Sequence, residues 1–146
     1  MRTTLALLLA ISSPALLAGD WYFIPGGTSY HLSDTDYNTS NYGMGMRYDY
    51  PEEDGKRAFS MGGFYHNGRS RDSLYGAAGI EYKIQSGLYA GPAAGAITGY
   101  KKSIIPAVLP SVSIDYKAIR LNVIWVPKIE GFTPETYMLN LQIKVG

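Results

Sequence analysis

Two histidines are the side chains of this 146-residue chain best suited to proton transfer, and both fall where a strand-like segment gives way to a loop. They are His31 and His66, with Asn67 and Ser73 just beyond the second. An imidazole titrates near neutral pH, so His31 can serve as a base toward a hydroxyl. Asn67 or Ser73 can donate to a developing oxyanion, and His66 can orient or share the proton. Proton transfer with stabilisation of an oxyanion is the chemistry such a set can do. The plainer reading of the same residues is a solvated rim. A metal site built from His31 and His66 lacks any neighbouring ligand motif, and none is expected.

Other chemistries are excluded by composition. The chain has no cysteine, which removes disulfides, thiol catalysis and thiolate zinc sites. Arg2, the apolar run Leu5 to Ile11 and the small-residue exit Ser12 to Ala18, broken by Pro14, read as an export signal cleaved after Ala18. The expected organisation is therefore a signal over residues 1–18 and one barrel domain over 19–146, beginning Gly19-Asp20-Trp21. The apolar run falls short of the roughly 20 residues a spanning helix needs; an uncleaved anchor is the alternative. Loss of Arg2 leaves a formally neutral chain, which argues against a nucleic-acid surface.

The elements that would position the histidines alternate with a period of two. Tyr137, Leu139, Leu141, Ile143 and Val145 share one face, with Thr136, Asn140, Gln142 and Lys144 on the other. Ile119, Leu121, Val123 and Trp125 repeat the pattern against Arg120 and Asn122, as do Val108, Val112, Ile114 and Tyr116 against Ser111, Ser113 and Asp115. Eight such segments are predicted, near 20–32, 40–50, 56–66, 71–84, 87–100, 105–117, 118–128 and 134–145. Short turns fall at Pro51 to Gly55, Gln85 to Ser86 and Lys117, and longer connections at the other end. Behind an export signal, strands of about 10 alternating residues read as an all-β fold, an eight-stranded antiparallel transmembrane barrel with lipid outside and polar groups inside. Thirteen tyrosines suit the interface belts of such a barrel. A soluble lipocalin-like barrel, apolar inside, shows the same alternation and is the rival fold. The single charges within strands, Glu81, Lys83, Asp115, Arg120 and Lys144, lie opposite the large apolar residues and favour the membrane reading.

Proline placement adds a functional hint. Pro25, Pro92, Pro106, Pro110 and Pro127 fall within or at the ends of predicted strands. Each removes a ladder donor, so a barrel wall interrupted there can open sideways; strand-end or bulge prolines without such a role are the alternative.

Three stretches carry a resemblance to the lipid A palmitoyltransferase (PagP) family. They are Tyr22-Phe23-Ile24-Pro25 with Thr28-Ser29-Tyr30-His31, Gly87 to Tyr116 with its run Ile105-Pro106-Ala107-Val108-Leu109-Pro110, and Ile124-Trp125-Val126-Pro127. The resemblance implies an eight-stranded outer-membrane barrel that holds an acyl chain in its upper interior. It also implies lateral lipid admission at prolines matching Pro25, Pro106 and Pro127, and transfer of a palmitoyl chain from a phospholipid to lipid A without a cofactor. His31 matches the family's histidine. The positions of its Asp-Ser pair are taken by His66 and Asn67, and the Asp72-Ser73 dipeptide lies six residues further on. The partners implied are phospholipid, lipid A and the bacterial outer membrane, with the protein as a monomer.

Small residues support a hollow interior. Gly76 to Gly79 and the run Ala90-Gly91-Pro92-Ala93-Ala94-Gly95-Ala96 would leave room in a barrel otherwise filled by its own side chains, or would merely let a narrow barrel close. By resemblance Gly79 is the floor that sets acyl-chain length. Lys101, Lys102 and Lys128 fall near the outer rim, within reach of lipid A phosphates. Two further functions stay open: a non-enzymatic barrel with a structural, protective or surface-binding role, and a hydrolase using the same channel with water as acceptor.

Overall fold

The computed structural model of the chain describes residues 18–32, 40–66, 71–99, 104–128 and 135–146. Eight strands follow one another: β1 (Asp20–His31), β2 (Ser40–Asp49), β3 (Lys56–His66), β4 (Asp72–Gln85), β5 (Leu88–Ile97), β6 (Ile105–Tyr116), β7 (Ile119–Val126) and β8 (Thr136–Lys144). Each pairs antiparallel with its sequence neighbours, and β1 closes on β8 to complete a barrel. In hydrocarbon an unpaired strand edge is costly, and pairing β1 with β8 removes the two terminal edges of the sheet.

The three short connections lie at one end of the barrel, here the turn end. Between β2 and β3 the chain reverses at Asp54-Gly55, with φ of 50° and 71°, and Glu53 and Lys56 exchange two backbone hydrogen bonds. That Asp-Gly pair suits a tight turn because both central residues need positive φ. The other connections, which include the residues left undescribed between strands, define the loop end.

Alternation sorts the wall into two faces. Outward positions expose Leu74, Ile80, Val108, Ile114, Leu121 and Leu141. Aromatic residues ring both ends of this band, with Tyr82 and Tyr116 exposed at the turn end and Tyr30, Tyr42 and Phe64 at the loop end. An apolar band between aromatic girdles is the outer surface of a barrel that spans lipid, and the inverted soluble barrel does not have it.

Most inward positions of the turn-end half are polar and closed to solvent. Arg47, Arg120, Glu81, Asn122, Ser111, Ser113 and Gln142 are all at most 2% exposed. Glu81 accepts from Arg47 at 2.8 Å, Arg57 at 2.7 Å, Ser113 at 2.7 Å and Ser111 at 3.2 Å. Asp49 pairs with Arg47 at 2.6 Å and Arg120 at 2.7 Å, and Asp115 with Arg120 at 2.6 Å and Arg57 at 2.8 Å. Three guanidinium groups thus face three carboxylates. Each guanidinium also lies over a ring: Arg47 over Phe59, Arg57 over Tyr89 and Arg120 over Tyr22, at 3.9, 3.8 and 4.0 Å. Among the described residues no buried side-chain nitrogen or oxygen lacks a partner, as a charged interior requires.

Candidate functional site

Above this polar plug the lumen changes character. Its lining on β4, β5 and β6 includes Ala77, Gly79, Gly95 and Ala107, and these are half-buried where the plug residues are buried. The upper lumen is therefore not filled in the way the lower half is. Part of the space left by small residues is occupied. A Cβ on Gly45 would strike the Tyr75 hydroxyl and one on Gly63 would lie 3.0 Å from the Tyr75 ring, so that phenol crosses over β3 toward β2. Small side chains across β2 and β3 accommodate Tyr75, and on β4 Gly79 accommodates the Phe59 ring.

Gly79 sits on the inward face between Ser73 and Glu81, as its alternation requires. A Cβ there would lie 2.7 Å from two atoms of the Phe59 ring and 2.5 Å from the Pro92 carbonyl. Phe59, 2% exposed and backed by Arg47, is thus the side chain that caps the plug, and Gly79 is the notch that lets its ring lie flat against the wall.

The wall opens at the prolines. The β6–β7 ladder runs from Tyr116↔Ile119 to Ser111↔Ile124 and stops, although both strands continue toward the loop end. Among the described residues, Ala107 to Pro110 stay paired with β5 and have no ladder partner among Trp125 to Lys128. At about 3.3 Å per residue this is roughly 13 Å of strand. Continuing the register would set Pro110 opposite Trp125 and Val108 opposite Pro127. Unpaired donors are expensive in hydrocarbon, and proline has none, so Pro106, Pro110 and Pro127 reduce what an open edge leaves unsatisfied. Pro25 lies in a second irregularity: β1 shifts register against both β2 and β8 there, next to Gly26 at φ 120°. Pro92 falls where the β4–β5 ladder, with no change of register, passes from Gly79↔Ala93 to Tyr82↔Ala90.

The predicted chemical groups are distributed rather than assembled. The His31 backbone ends β1, in register with Thr136, and its side chain lies outside the described part of the structure, as do Asn67, Lys101 and Lys102. His66 pairs in register with Asp72, and Tyr65 with Ser73. His66 therefore shares the outer face with Asp72, its Nδ1 3.2 Å from Asp72 Oδ1, and stacks on Tyr42 at 4.9 Å. Ser73 faces the lumen at 1% exposure. The wall separates His66 from Ser73, so these two do not form one site. The partnership of His66 with Asp72 is legible from the hairpin, because two strands joined across residues 67–71 set 66 opposite 72. Among the described residues no group of acidic and histidine side chains could hold a metal ion.

At the turn-end mouth, outside the spanning strands, Glu52 accepts from Tyr89 Oη at 2.6 Å and lies 3.5 Å from Lys83 Nζ. The Tyr89 hydrogen bond, helped by Lys83, holds the Glu52 carboxyl below its usual range.

Neither protein-family models nor curated protein sequences match this chain. Solved structures do. The outer membrane protein Ail of Yersinia pestis, in a phospholipid bilayer nanodisc, is 12% identical over 88% of this chain and 99% of its own, with a TM-score of 0.57. A de novo designed transmembrane β-barrel is 15% identical over 88% and 96%, with a TM-score of 0.61. The designed barrel TMB2.3 gives 15% identity over 88% and 95%, with a TM-score of 0.63. At such identities the likeness is one of fold: this chain has the eight-stranded transmembrane β-barrel architecture found in outer-membrane proteins.

Proposed function

We propose that this chain is a bacterial outer-membrane lipid acyltransferase of the lipid A palmitoyltransferase (PagP) kind, made with a signal cleaved after Ala18 and acting as a monomer. The observation that carries the reading is the unpaired stretch between β6 and β7, bordered by Pro106, Pro110 and Pro127. With the turn end toward the periplasm, that seam faces the outer leaflet. A lumen lined by Ala77, Gly95 and Ala107 and stopped below by Phe59 over Arg47 is shaped to take one acyl chain end-on and to give it no exit to the periplasm.

In the proposed reaction His31 takes the proton of a lipid A hydroxyl as its oxygen attacks the ester carbonyl of a phospholipid. Asn67 or Ser73 donates to the tetrahedral oxyanion. Collapse breaks the ester bond, and the proton passes from His31 to the departing lysophospholipid oxygen. The acyl chain ends on lipid A with no cofactor consumed. Gly79, through the Phe59 ring it seats, limits how deep the chain can reach.

The separation of His66 from Ser73 across the wall favours a second reading, a barrel that binds outer-leaflet lipid or another surface partner without catalysis. Mass spectrometry of lipid A from an outer-membrane-bearing host expressing the chain, its His31→Ala variant or an empty vector decides between them. A gained acyl chain that disappears with His31→Ala is the expected result. A lost chain would mean a deacylase, and unchanged lipid A beside folded protein in the membrane would leave the non-enzymatic barrel.

A further inference from the structure

The start of β1 is held on both sides. Trp21 N–H donates to the Gly146 carbonyl at 2.8 Å and the Trp21 carbonyl accepts from Val145 N–H at 2.8 Å. Asp20 pairs with Lys144 at 2.7 Å. Across the other edge Asp20 and Trp21 are in register with Asp49 and Tyr48. One residue earlier, Gly19 N–H donates to Tyr48 Oη at 3.1 Å. Tyr48 alternates with the outward residues Met46 and Tyr50, yet it is only 2% exposed. The rings of Trp21 and Tyr50 enclose it, each with its centroid 4.9 Å away.

This seat accepts glycine and nothing larger. A Cβ on Gly19 would strike the Asp49 carbonyl oxygen and lie 2.5 Å from Tyr48 Oη. The carbonyl belongs to the barrel ladder, so it cannot withdraw without unpairing the wall. Ala18, Gly19 and Asp20 also line a cavity of about 340 Å³ at the turn-end mouth, where Asp20, Asp49, Glu52 and Asp115 face Arg57, the one cation of the lining.

Taking the cleavage after Ala18 given above, we propose that the barrel captures the amino group that hydrolysis of the Ala18–Gly19 bond releases. Water adds across the bond, Ala18 leaves with the carboxylate, and Gly19 keeps the nitrogen as an ammonium. That ammonium donates to Tyr48 Oη at the acidic mouth. The carboxylates there already have cationic or hydroxyl partners, so they supply a favourable field and Tyr48 supplies the contact. Cleavage one residue later would remove the glycine that fits, and cleavage one residue earlier would leave Ala18 in place of the charge. The proposal rests on the export signal and is independent of any lipid chemistry.

Its test is the intact mass of protein extracted from the outer membrane, followed by acetylation of its amines near neutral pH, where an α-amine is more reactive than lysine because its pKa is lower. The expected mass is that of Gly19–Gly146, with Gly19 acetylated several-fold more slowly in the folded barrel than in urea. Tyr48→Phe, which keeps the ring and deletes the acceptor, should restore fast acetylation while the barrel stays folded. A mass that places the new terminus elsewhere overturns the proposal. So does a Gly19 amine that reacts equally fast folded and unfolded, or one whose protection survives Tyr48→Phe.

Discussion

The two halves of the lumen are walled by the same eight strands and could hardly be less alike. Toward the turns, Arg47, Glu81, Ser111, Ser113, Arg120, Asn122 and Gln142 are polar, buried and partnered, and the β6–β7 ladder is fully zipped from Tyr116 to Ser111. Toward the loops, Ala77, Gly79, Gly95 and Ala107 on β4 to β6 are small and half-buried, and among the described residues that ladder is unpaired from Pro110 to Ala107. The lower half is held by paired, buried charges as well as by its ladders, and the upper half by less strand pairing between β6 and β7. A small barrel can weaken half of its wall because the other half fixes register and closure.

The largest expected effect comes from closing the seam. Cysteines at 110 and 125, positions that the β6–β7 register would bring face to face, should abolish acyl transfer when oxidised and restore it when reduced. The same pair at 112 and 123, already in register below the seam, should have no effect in either state. Equal activity for both oxidised proteins in the lipid A assay would show that lipid does not pass between β6 and β7.

Next is the plug itself. Glu81→Leu removes the acceptor shared by Arg47, Arg57, Ser111 and Ser113 and leaves buried guanidinium groups short of a counter-charge. Breaking one partner from a buried ion network costs about 3–5 kcal/mol. Urea unfolding of the barrel in lipid vesicles should register that loss. A change within about 0.5 kcal/mol, as for an ordinary surface substitution, would mean that water replaces the carboxylate and that the two halves differ less than their burial implies.

At the boundary between the halves, Gly79→Met must displace the Phe59 ring and press on the Pro92 carbonyl. Overpacking of this kind costs about 1–3 kcal/mol. The added side chain should also shorten the preferred acyl chain, read as the mass gained by lipid A. Unchanged chain selection in a folded variant would remove Gly79 and Phe59 from the floor.

Much of this division was legible beforehand. Period-two alternation located every strand to within about three residues, and the single charges Glu81, Asp115 and Arg120 predicted a polar interior. Pro106, Pro110 and Pro127 marked the place where the ladder stops. What alternation does not carry is which small residue faces a large one across the lumen. The fit of Tyr75 over Gly45 and Gly63, and of Phe59 against Gly79, depends on stagger between non-adjacent positions. The pairing of His66 with Asp72 on the outer face follows from hairpin register, a local feature that residue-type reasoning alone overlooked.

The smallest effect lies at the turn-end mouth. Glu52 has its folded pKa depressed by the Tyr89 hydroxyl and by Lys83. A depressed carboxyl contributes stability that is present above its unfolded pKa and is lost as pH falls through the folded value. The group is partly exposed, so solvent screening keeps the contribution below about 1 kcal/mol. Glu52→Gln should therefore unfold at slightly lower urea than the parent at neutral pH, and the two midpoints should converge once the pH is below the folded carboxyl's titration. The plug should respond differently: Glu81 is bonded to Arg47, Arg57, Ser111 and Ser113 and not to Glu52, so the loss caused by Glu81→Leu should be the same with Glu52 or Gln at position 52. A gap between Glu52→Gln and parent that persists at low pH would assign the Tyr89 contact to packing and leave the mouth with no charge-dependent latch.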